Sequence, residues 1–294
     1  MLESFINFLN YEKRYSKHTV KSYTNDISQF QSFVLNQYEI EDICLVQHTH
    51  VRSWVVDLME SGVKARSVNR KLSSLKSYFN FLKRSGKLKV NPTSKVIAPK
   101  TEQRLPSVIQ EEEIRALLDE IVFEENFKGL RDRLVLETLY LTGMRKAELI
   151  ELKDQDIDFN RKLIKVFGKG KKERLIPVSD TFITLIKTYI NARNQHFDLN
   201  QFATFFIGNS GNKMYPKFVY NLVKRYLSLV STSDKRSPHI LRHSFATHLS
   251  NKGAKLNAIK ELLGHSNLSA TQIYTHNSIE QLKKVYDKAH PKGK

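Results

Sequence analysis

A proline-spaced, basic stretch between residues 91 and 106 is the feature that most constrains the fold of this 294-residue chain. Three prolines interrupt regular structure there, and the apolar residues are only weakly periodic. Such a stretch is typical of a linker between two globular units. We therefore expect a first domain over residues 1–98, a linker over 99–107 and a second domain over 108–294.

The apolar residues of the first domain recur at helical steps of three and four. The clearest stripe consists of Val68, Leu72, Leu75, Phe79 and Leu82. Ser16 or Thr19 is a candidate N-cap for another helix, which continues to Phe30. The pattern predicts an all-helical domain of about four helices.

The charge of the chain indicates a polyanionic partner, because the formal net charge is +18. Residues 61–100 contain eleven Lys or Arg and no Asp or Glu. A solvated helix face normally mixes both signs, so this segment favours contact with DNA, although a solvated basic face is the alternative. The candidate DNA-binding residues here are Arg66, Arg70, Lys71, Lys76 and Lys83.

The second domain begins with helical spacing over about 110–120 and 130–141, and Gly143 is a typical C-cap for the latter helix. Two apolar or β-branched runs, 162–167 and 173–178, flank a Gly-Lys-Gly-Lys turn and predict a β-hairpin.

From about Thr181 helical spacing returns and continues to the end of the chain. The expected fold class is therefore mainly α with a small β-sheet, a helical domain followed by an α+β domain.

Arg145 follows the predicted helix stop and precedes a new helical pattern. The amide groups of a helix N-terminus and a five-donor guanidinium both suit phosphate binding. An Arg145–Glu148 surface pair explains the same residues without a ligand, and Arg145 by itself favours that simpler interpretation.

The tip of the predicted hairpin is basic but lacks the Walker spacing and its terminal Ser or Thr, so we reject a nucleotide-binding loop. Lys169 can instead present an ammonium group to a leaving oxygen, as a general acid. Lys171 and Lys172 are further candidates for DNA contact. A solvated basic turn is the alternative.

Three histidines and an arginine are crowded between His239 and His248. The HExxH glutamate is absent and no cysteine or acidic ligand lies nearby, so no metal site is predicted. His239 and Arg242 are three residues apart and share a helix face, from which both can address one phosphate. Tyr274 follows near the end of the chain; taken alone, such a tyrosine is more often a core residue.

In combination, these side chains supply what metal-free transesterification at a phosphodiester needs. Arginines neutralise the non-bridging oxygens, a task often given to Mg²⁺. A tyrosine, with a pKa of about 10 when free, needs a base and cationic surroundings to act as a nucleophile. Histidine is suited to that proton transfer.

In order and approximate spacing, one set of residues resembles the tyrosine site-specific recombinases, and the segment His-Ile-Leu-Arg-His-Ser-Phe-Ala-Thr-His-Leu looks like their Xer subgroup. The set is Arg145, Lys169, His239-x-x-Arg242, Gly264-His265 and Tyr274. The resemblance implies that Tyr274 attacks a DNA phosphate and leaves a 3′-phosphotyrosyl link. Arg145, Arg242 and His265 would then hold the phosphate oxygens. His239 would accept the tyrosine proton and Lys169 would protonate the leaving oxygen, without a metal or other cofactor.

The resemblance also implies an architecture and partners. A SAM-like core-binding domain and a catalytic domain would form a C-shaped clamp on a double-stranded recombination site. A tail helix from Ile279 to about Pro291 would dock into a neighbouring subunit of a tetramer on two sites, alone or with a second Xer-type recombinase. An ordinary amphipathic helix with a frayed end explains that segment equally well. Control by a septal DNA translocase is a further hypothesis. Lys146, Lys255 and Asn277 depart from the usual pattern at non-catalytic positions and leave the Xer subtype open.

Resolution of chromosome or plasmid dimers is the leading hypothesis for the biological role. The alternatives are a mobile-element integrase, a type IB topoisomerase and a DNA-binding protein without catalysis. The lone Cys44 excludes an internal disulfide framework. Since we find neither a signal-peptide pattern nor an apolar stretch long enough to span a bilayer, we expect a cytoplasmic protein without a membrane partner.

Overall fold

The computed structural model describes residues 1–101, 107–168, 173–197 and 202–264. The chain divides into two compact units, a first unit Met1–Leu105 and a second unit Pro106–Lys294. Each unit has its own hydrophobic core. Residues 102–106 of the predicted linker lie outside the described residues.

The first unit is helical. Its described α-helices are α1 (Leu2–Asn7), α2 (Lys17–Tyr38), α3 (His48–Glu60) and α4 (Ala65–Arg84). The short turns of this unit are a π-helical turn Phe8–Glu12 and 3-10 turns Ile43–Leu45 and Pro92–Lys95. The prediction of an all-helical unit with about four helices is confirmed.

Local sequence signals explain where α2 begins and which face of α4 is buried. The Ser16 hydroxyl oxygen accepts a hydrogen bond from the Thr19 backbone N–H at 3.3 Å, so Ser16 is the N-cap of α2. The predicted stripe of α4 is buried throughout and packs with Phe5, Phe30 and Trp54 in the core of the first unit. Periodicity alone therefore identified the core face of α4.

The second unit contains both helices and strands. Its described α-helices are α5 (Glu111–Arg115), α6 (Phe127–Thr142), α7 (Lys146–Glu151), α8 (Asp180–Phe197), α9 (Pro216–Val230), α10 (Pro238–Asn251) and α11 (Leu256–Leu263). A π-helical turn, Ala116–Glu120, continues α5, and a 3-10 turn, Asp154–Asp156, precedes the sheet.

Helix α6 is the central helix of the second unit. Every residue from Leu134 to Thr142 is buried, and α6 packs against α8, α9 and α10. The Asn126 side-chain oxygen accepts a hydrogen bond from the Gly129 N–H at 3.0 Å and caps the helix. This cap starts the helix at Phe127, about one turn earlier than its apolar spacing predicts.

Three short strands form an antiparallel sheet in chain order. They are β1 (Ile157–Asp158), β2 (Leu163–Phe167) and β3 (Glu173–Pro177). Phe167 pairs with Glu173 at the end of the β2–β3 ladder, which confirms the predicted hairpin. Strand β1 was not predicted, because two residues are too few for an alternating pattern.

The prediction of helical structure from Thr181 to the end of the chain is wrong in one described segment. Residues 202–215 are not helical and contain an isolated bridge between Ile207 and Lys213. Phe205 and Phe206 are buried in this segment and contact the ring of Tyr189 on α8. Burial of these aromatic rings therefore outweighs the local helical spacing. Residues 265–294 lie outside the described residues.

The fold class is mainly α with a small sheet, as predicted. In the described part of the chain, no helix has the length and apolar character needed to cross a membrane.

Candidate active site

Arg145 is placed by a tight junction between α6 and α7. Gly143 ends α6 in the left-handed conformation, with φ of 57°, and Arg145 is the N-cap residue of α7. A Cβ atom at position 143 would lie 2.5 Å from the Phe245 ring on α10 and 2.9 Å from Leu263 on α11. Glycine thus permits both the turn and the close approach of α10 and α11 to the α6–α7 junction.

Glu148 binds Arg145 in two ways. Its carboxylate accepts a hydrogen bond from the Arg145 backbone N–H at 2.8 Å and one from the Arg145 guanidinium at 2.7 Å. The side chain of Arg145 is 37% exposed, whereas that of Glu148 is 6% exposed. The pair that the simpler interpretation predicted is present, but its acidic member is buried, so it is not an ordinary surface pair.

Arg174 is a second partner of Glu148, and our sequence reasoning assigned it no role. Its guanidinium donates to the two carboxylate oxygens of Glu148 at 3.2 and 2.7 Å, and its Nε donates to the Leu262 carbonyl at 2.7 Å. Arg174 is buried in β3 on the same side as Ile176. Because alternate residues of a strand face the same side, an arginine two residues before the core residue Ile176 was the sequence signal that Arg174 is buried.

Arg242 completes a cluster of three guanidinium groups. It is buried in α10 and donates to the Gly143 carbonyl and, at 2.7 Å, to the Leu263 carbonyl. Burial, followed by the neighbouring charges of Arg145 and Arg174, lowers the pKa of Arg242 to about 10. Arg242 therefore stays protonated at neutral pH. The structure thus brings together the two arginines that the sequence singled out, Arg145 and Arg242.

The ionisation of Glu148 follows from the same cluster. Burial by itself would raise the pKa of this carboxyl, but the hydrogen bonds and charge of Arg174, followed by the hydrogen bonds of Arg145, bring it below its ordinary value. Three guanidinium groups and one carboxylate leave a net positive charge at this place. Such a site suits an anion with several oxygen acceptors, such as a phosphate.

The histidines of α10 have different surroundings. His239 is exposed and lies three residues before Arg242 on the same helix, while His243 is also exposed. His248 is buried, and its Nδ1 lies 3.0 Å from the Tyr140 hydroxyl. Burial lowers the pKa of His248, which favours its neutral form. Of the two exposed histidines, His239 shares a helix face with Arg242, because the two are three residues apart, whereas His243 directly follows Arg242 and projects from another face.

The other predicted site residues lie outside the described residues. They are Lys169, Lys171, Lys172, His265 and Tyr274. The described chain reaches the base of the hairpin at Phe167 and Glu173, and it ends at Gly264, the C-cap of α11, beside Arg174. Within the described ranges, no three His, Cys, Asp or Glu side chains come together as ligands for a metal ion.

In the first unit, the predicted DNA-binding residues of α4 fall into two groups. Arg66, Lys76 and Lys83 are exposed, and no ion pair joins them to another described residue. Arg70 and Lys71 instead bind the buried carboxylate of Asp26 on α2, with closest distances of 2.5 and 3.2 Å. Their side chains are 49% and 15% exposed, so Lys71 is the least accessible of the described candidates.

Comparison with family models covers both units. The model described as phage integrase family matches residues 107–281. The model described as phage integrase, N-terminal SAM-like domain, matches residues 2–86.

Full-length relatives are similar over nearly the whole chain. A tyrosine recombinase XerC from Chlorobaculum parvum is 36% identical over 315 residues, covering 99% of this chain and 94% of that protein. A tyrosine recombinase XerD from Staphylococcus haemolyticus is 36% identical over 294 residues, covering 100% of this chain and 99% of that protein.

The fold is also similar to that of solved structures. The XerH site-specific recombinase bound to a palindromic difH substrate aligns with a TM-score of 0.70 at 21% identity, covering 96% of this chain and 82% of that chain. The family models and the full-length relatives together show that this chain belongs to the phage integrase family and is a tyrosine recombinase.

Proposed function

We propose that this recombinase cuts and rejoins double-stranded DNA through a covalent 3′-phosphotyrosyl intermediate. The observation that carries the proposal is the convergence of Arg145 and Arg242, from helices far apart in sequence, at the junction of α6 and α7. Arg242 uses two of its N–H groups on carbonyls and Arg145 uses one side-chain N–H on Glu148, which leaves further donors for phosphate oxygens.

The proposed reaction is a pair of transesterifications. The Tyr274 hydroxyl oxygen forms a bond to phosphorus, and the bond from phosphorus to the 5′-oxygen breaks. His239 takes the tyrosine proton, and Lys169 gives a proton to the 5′-oxygen. Arg145, Arg242 and His265 hold the non-bridging oxygens. A 5′-hydroxyl then attacks the phosphotyrosyl bond and restores the phosphodiester, so no cofactor, ATP or metal ion is consumed.

The basic residues of the first unit and of the hairpin are the proposed DNA contacts. They are Arg66, Arg70, Lys71, Lys76, Lys83, Lys171 and Lys172. Support comes from the acid-free segment 61–100 and from the exposure of Arg66, Lys76 and Lys83. Contacts of this kind hold the phosphate backbone without reading bases.

We further propose that the enzyme resolves chromosome or plasmid dimers in the cytoplasm, as a tetramer on two sites with its own copies or with a second Xer-type recombinase. Near-complete coverage of the XerC and XerD relatives supports this role over integration of a mobile element. Control by a septal DNA translocase would follow from that role.

The test is a covalent-trapping experiment. A DNA site is first selected by the wild-type protein from a randomised duplex library, and a nicked suicide duplex carrying it is incubated with the protein in EDTA. We expect an SDS-resistant protein–DNA adduct that disappears in Tyr274→Phe. The matched control is Tyr11→Phe, since Tyr11 is 77% exposed in the first unit. DNA that is bound but never linked, with a partner recombinase supplied, would contradict the proposal.

A further inference from the structure

Arg174 is the third guanidinium of the cluster, and the proposed reaction gives it no role. It is 3% exposed, and a buried guanidinium needs several hydrogen-bond partners to offset its lost hydration. All of its partners lie in segments next to proposed catalytic residues. Its surroundings therefore suggest more than the anchoring of β3.

The hydrogen bonds of the cluster form a closed ring. Arg242 connects the Gly143 carbonyl to the Leu263 carbonyl. Arg174 connects the adjacent Leu262 carbonyl to Glu148, which binds the backbone N–H of Arg145, two residues after Gly143. The ring therefore fixes the end of α6, the start of α7 and the end of α11 relative to one another.

Arg174 and Arg145 share the carboxylate of Glu148. A buried carboxylate with one cationic partner binds that partner tightly, because the surroundings have a low dielectric constant. Here Arg174 donates to both oxygens of Glu148, whereas the side chain of Arg145 donates to Oε1. Because the carboxylate is shared, the partly exposed guanidinium of Arg145 remains available to an incoming phosphate.

Two further connections join Arg174 to the proposed catalytic residues. Arg174 is the second residue of β3, directly after Glu173 at the base of the hairpin whose loop contains Lys169. At the other end, Arg174 holds the Leu262 carbonyl, and His265 follows two residues after Leu263 in sequence. A Cβ atom at Gly264 would lie 3.1 Å from the Arg174 guanidinium, so the chain leaves α11 in contact with it.

We propose that Arg174 is a positioning residue for DNA strand cleavage. It divides the charge of Glu148 so that Arg145 can bind the scissile phosphate, and it fixes the end of α11 from which the chain continues to His265. This inference rests on the proposed function. Lysine cannot replace arginine here, because one ammonium group cannot make the forked contact with Glu148 and also reach the Leu262 carbonyl.

The first experiment measures the single-turnover rate of adduct formation on the selected suicide duplex at saturating protein. We expect Arg174→Lys and Arg174→Gln to slow cleavage about 100-fold, the size expected when a catalytic group is misplaced by about 1 Å. Their affinity for the intact duplex should stay close to that of the wild type. Circular dichroism sets an assay temperature at which every variant is folded.

A second substrate separates positioning from general weakening of the fold. It is the same duplex with a methylphosphonate at the scissile position, where a methyl group replaces one non-bridging oxygen and removes the negative charge. An uncharged centre depends less on Arg145, so most of the rate loss caused by Arg174→Lys should vanish on this substrate. A loss of folded protein would lower the rate of cleavage of both substrates equally.

Arg193→Lys is the matched control. Arg193 is also fully buried in the second unit and pairs with the carboxylate of Asp154 and the Phe205 carbonyl. We expect this variant to melt at a lower temperature but, when folded, to cleave both substrates at wild-type rates.

A third comparison tests whether Arg174 acts through Glu148. If it does, the double variant Arg174→Lys with Glu148→Gln should be no slower than the slower single variant.

The outcomes are distinct. Absence of an adduct with the wild-type protein overturns the proposed function and this inference with it. If the wild-type protein reacts normally, three results overturn the inference alone. In the first, Arg174→Lys cleaves at the wild-type rate; in the second, Arg174→Lys slows cleavage of both substrates equally. In the third, the rate losses of Arg174→Lys and Glu148→Gln multiply in the double variant. Failure of both Arg174 variants to fold at any temperature makes Arg174 a folding residue and likewise overturns it.

Discussion

Both units contain a buried carboxylate that binds two basic side chains, but the two carboxylates place the positive charge differently. Asp26 on α2 binds Arg70 and Lys71 of α4, and the side chain of Arg70 is 49% exposed. Glu148 on α7 binds Arg145 and Arg174, and the side chain of Arg174 is 4% exposed. The first carboxylate therefore supports a surface charge, and the second supports a charge cluster that is largely inside the protein.

Under the proposed function, this difference would separate two tasks, the attraction of DNA and the cleavage of one phosphodiester. Surface charge attracts the phosphate backbone over a wide area, but solvent and salt screen each contribution. Charge that is held in a buried, hydrogen-bonded cluster acts on one phosphate with little screening and without reorganisation during the reaction. We therefore expect substitutions at the second unit's cluster to change the rate of cleavage, and substitutions on α4 to change affinity.

The largest effect is expected at Arg242. Replacement by lysine removes the fork that binds both carbonyls and the proposed phosphate, so cleavage at saturating DNA should fall about 10²- to 10³-fold, as for loss of one transition-state donor. Arg70→Lys, the corresponding change in the first unit, should act on affinity and not on this saturated rate. Single-turnover adduct formation and fluorescence anisotropy measure the two quantities. If Arg242→Lys and Arg70→Lys lowered the rate of cleavage at saturating DNA equally, the result would contradict the proposed division of tasks.

Stability provides the next contrast. Glu148→Gln leaves the buried guanidinium of Arg174 without a charged partner, so the free energy of unfolding should fall by about 3 kcal/mol. Asp26→Asn should cost less, on the order of 1 kcal/mol, because Arg70 can reach water. Urea unfolding followed by circular dichroism tests the first variant. Fluorescence of Trp54, the only tryptophan, follows the first unit for the second variant.

Acidification should weaken the second unit through Glu148. Burial by itself would raise the pKa of this carboxyl, but the hydrogen bonds and charge of Arg174, together with the hydrogen bonds of Arg145, outweigh burial and hold the folded pKa below its ordinary value of 4.5. Its stabilising contribution is therefore present above about pH 4.5 and is lost as the pH falls towards the lower folded pKa. Unfolding measured between roughly pH 3 and 6 should show this loss in the wild type, and Glu148→Gln should lack that part of the pH dependence.

The smallest effects are expected from single lysines of α4. Lys76→Ala should reduce the slope of log affinity against log salt by about one and weaken binding to different sequences alike. Lys71→Ala should change DNA affinity less, because Lys71 is 15% exposed and its ammonium already binds Asp26 and Gln29. Anisotropy titrations at several salt concentrations make the comparison. A larger effect at Lys71 would contradict the geometry of the α2–α4 contact.

Much of the fold was predictable because its signals are local. The core stripe of α4, the Ser16 cap, the glycine stop at Gly143 and the hairpin all depend on residues within a few positions of one another. The segment 202–215 was not predictable in this way, since its conformation depends on packing of Phe205 and Phe206 against α8. Propensity and periodicity predict secondary structure reliably where residues close in sequence determine it. Elsewhere, tertiary contacts override them.

For the candidate site, the sequence by itself determined which side chains are present and which family they resemble. It placed Arg145 after a helix stop and put His239 and Arg242 on one helix, because those relations extend over a few residues. Only the tertiary structure decided that Glu148 is buried, that Arg174 binds it from 26 residues away and that Arg242 reaches Gly143 across 99 residues. The physical reason is that a buried charge needs specific partners, and packing of distant elements decides which partners are within reach.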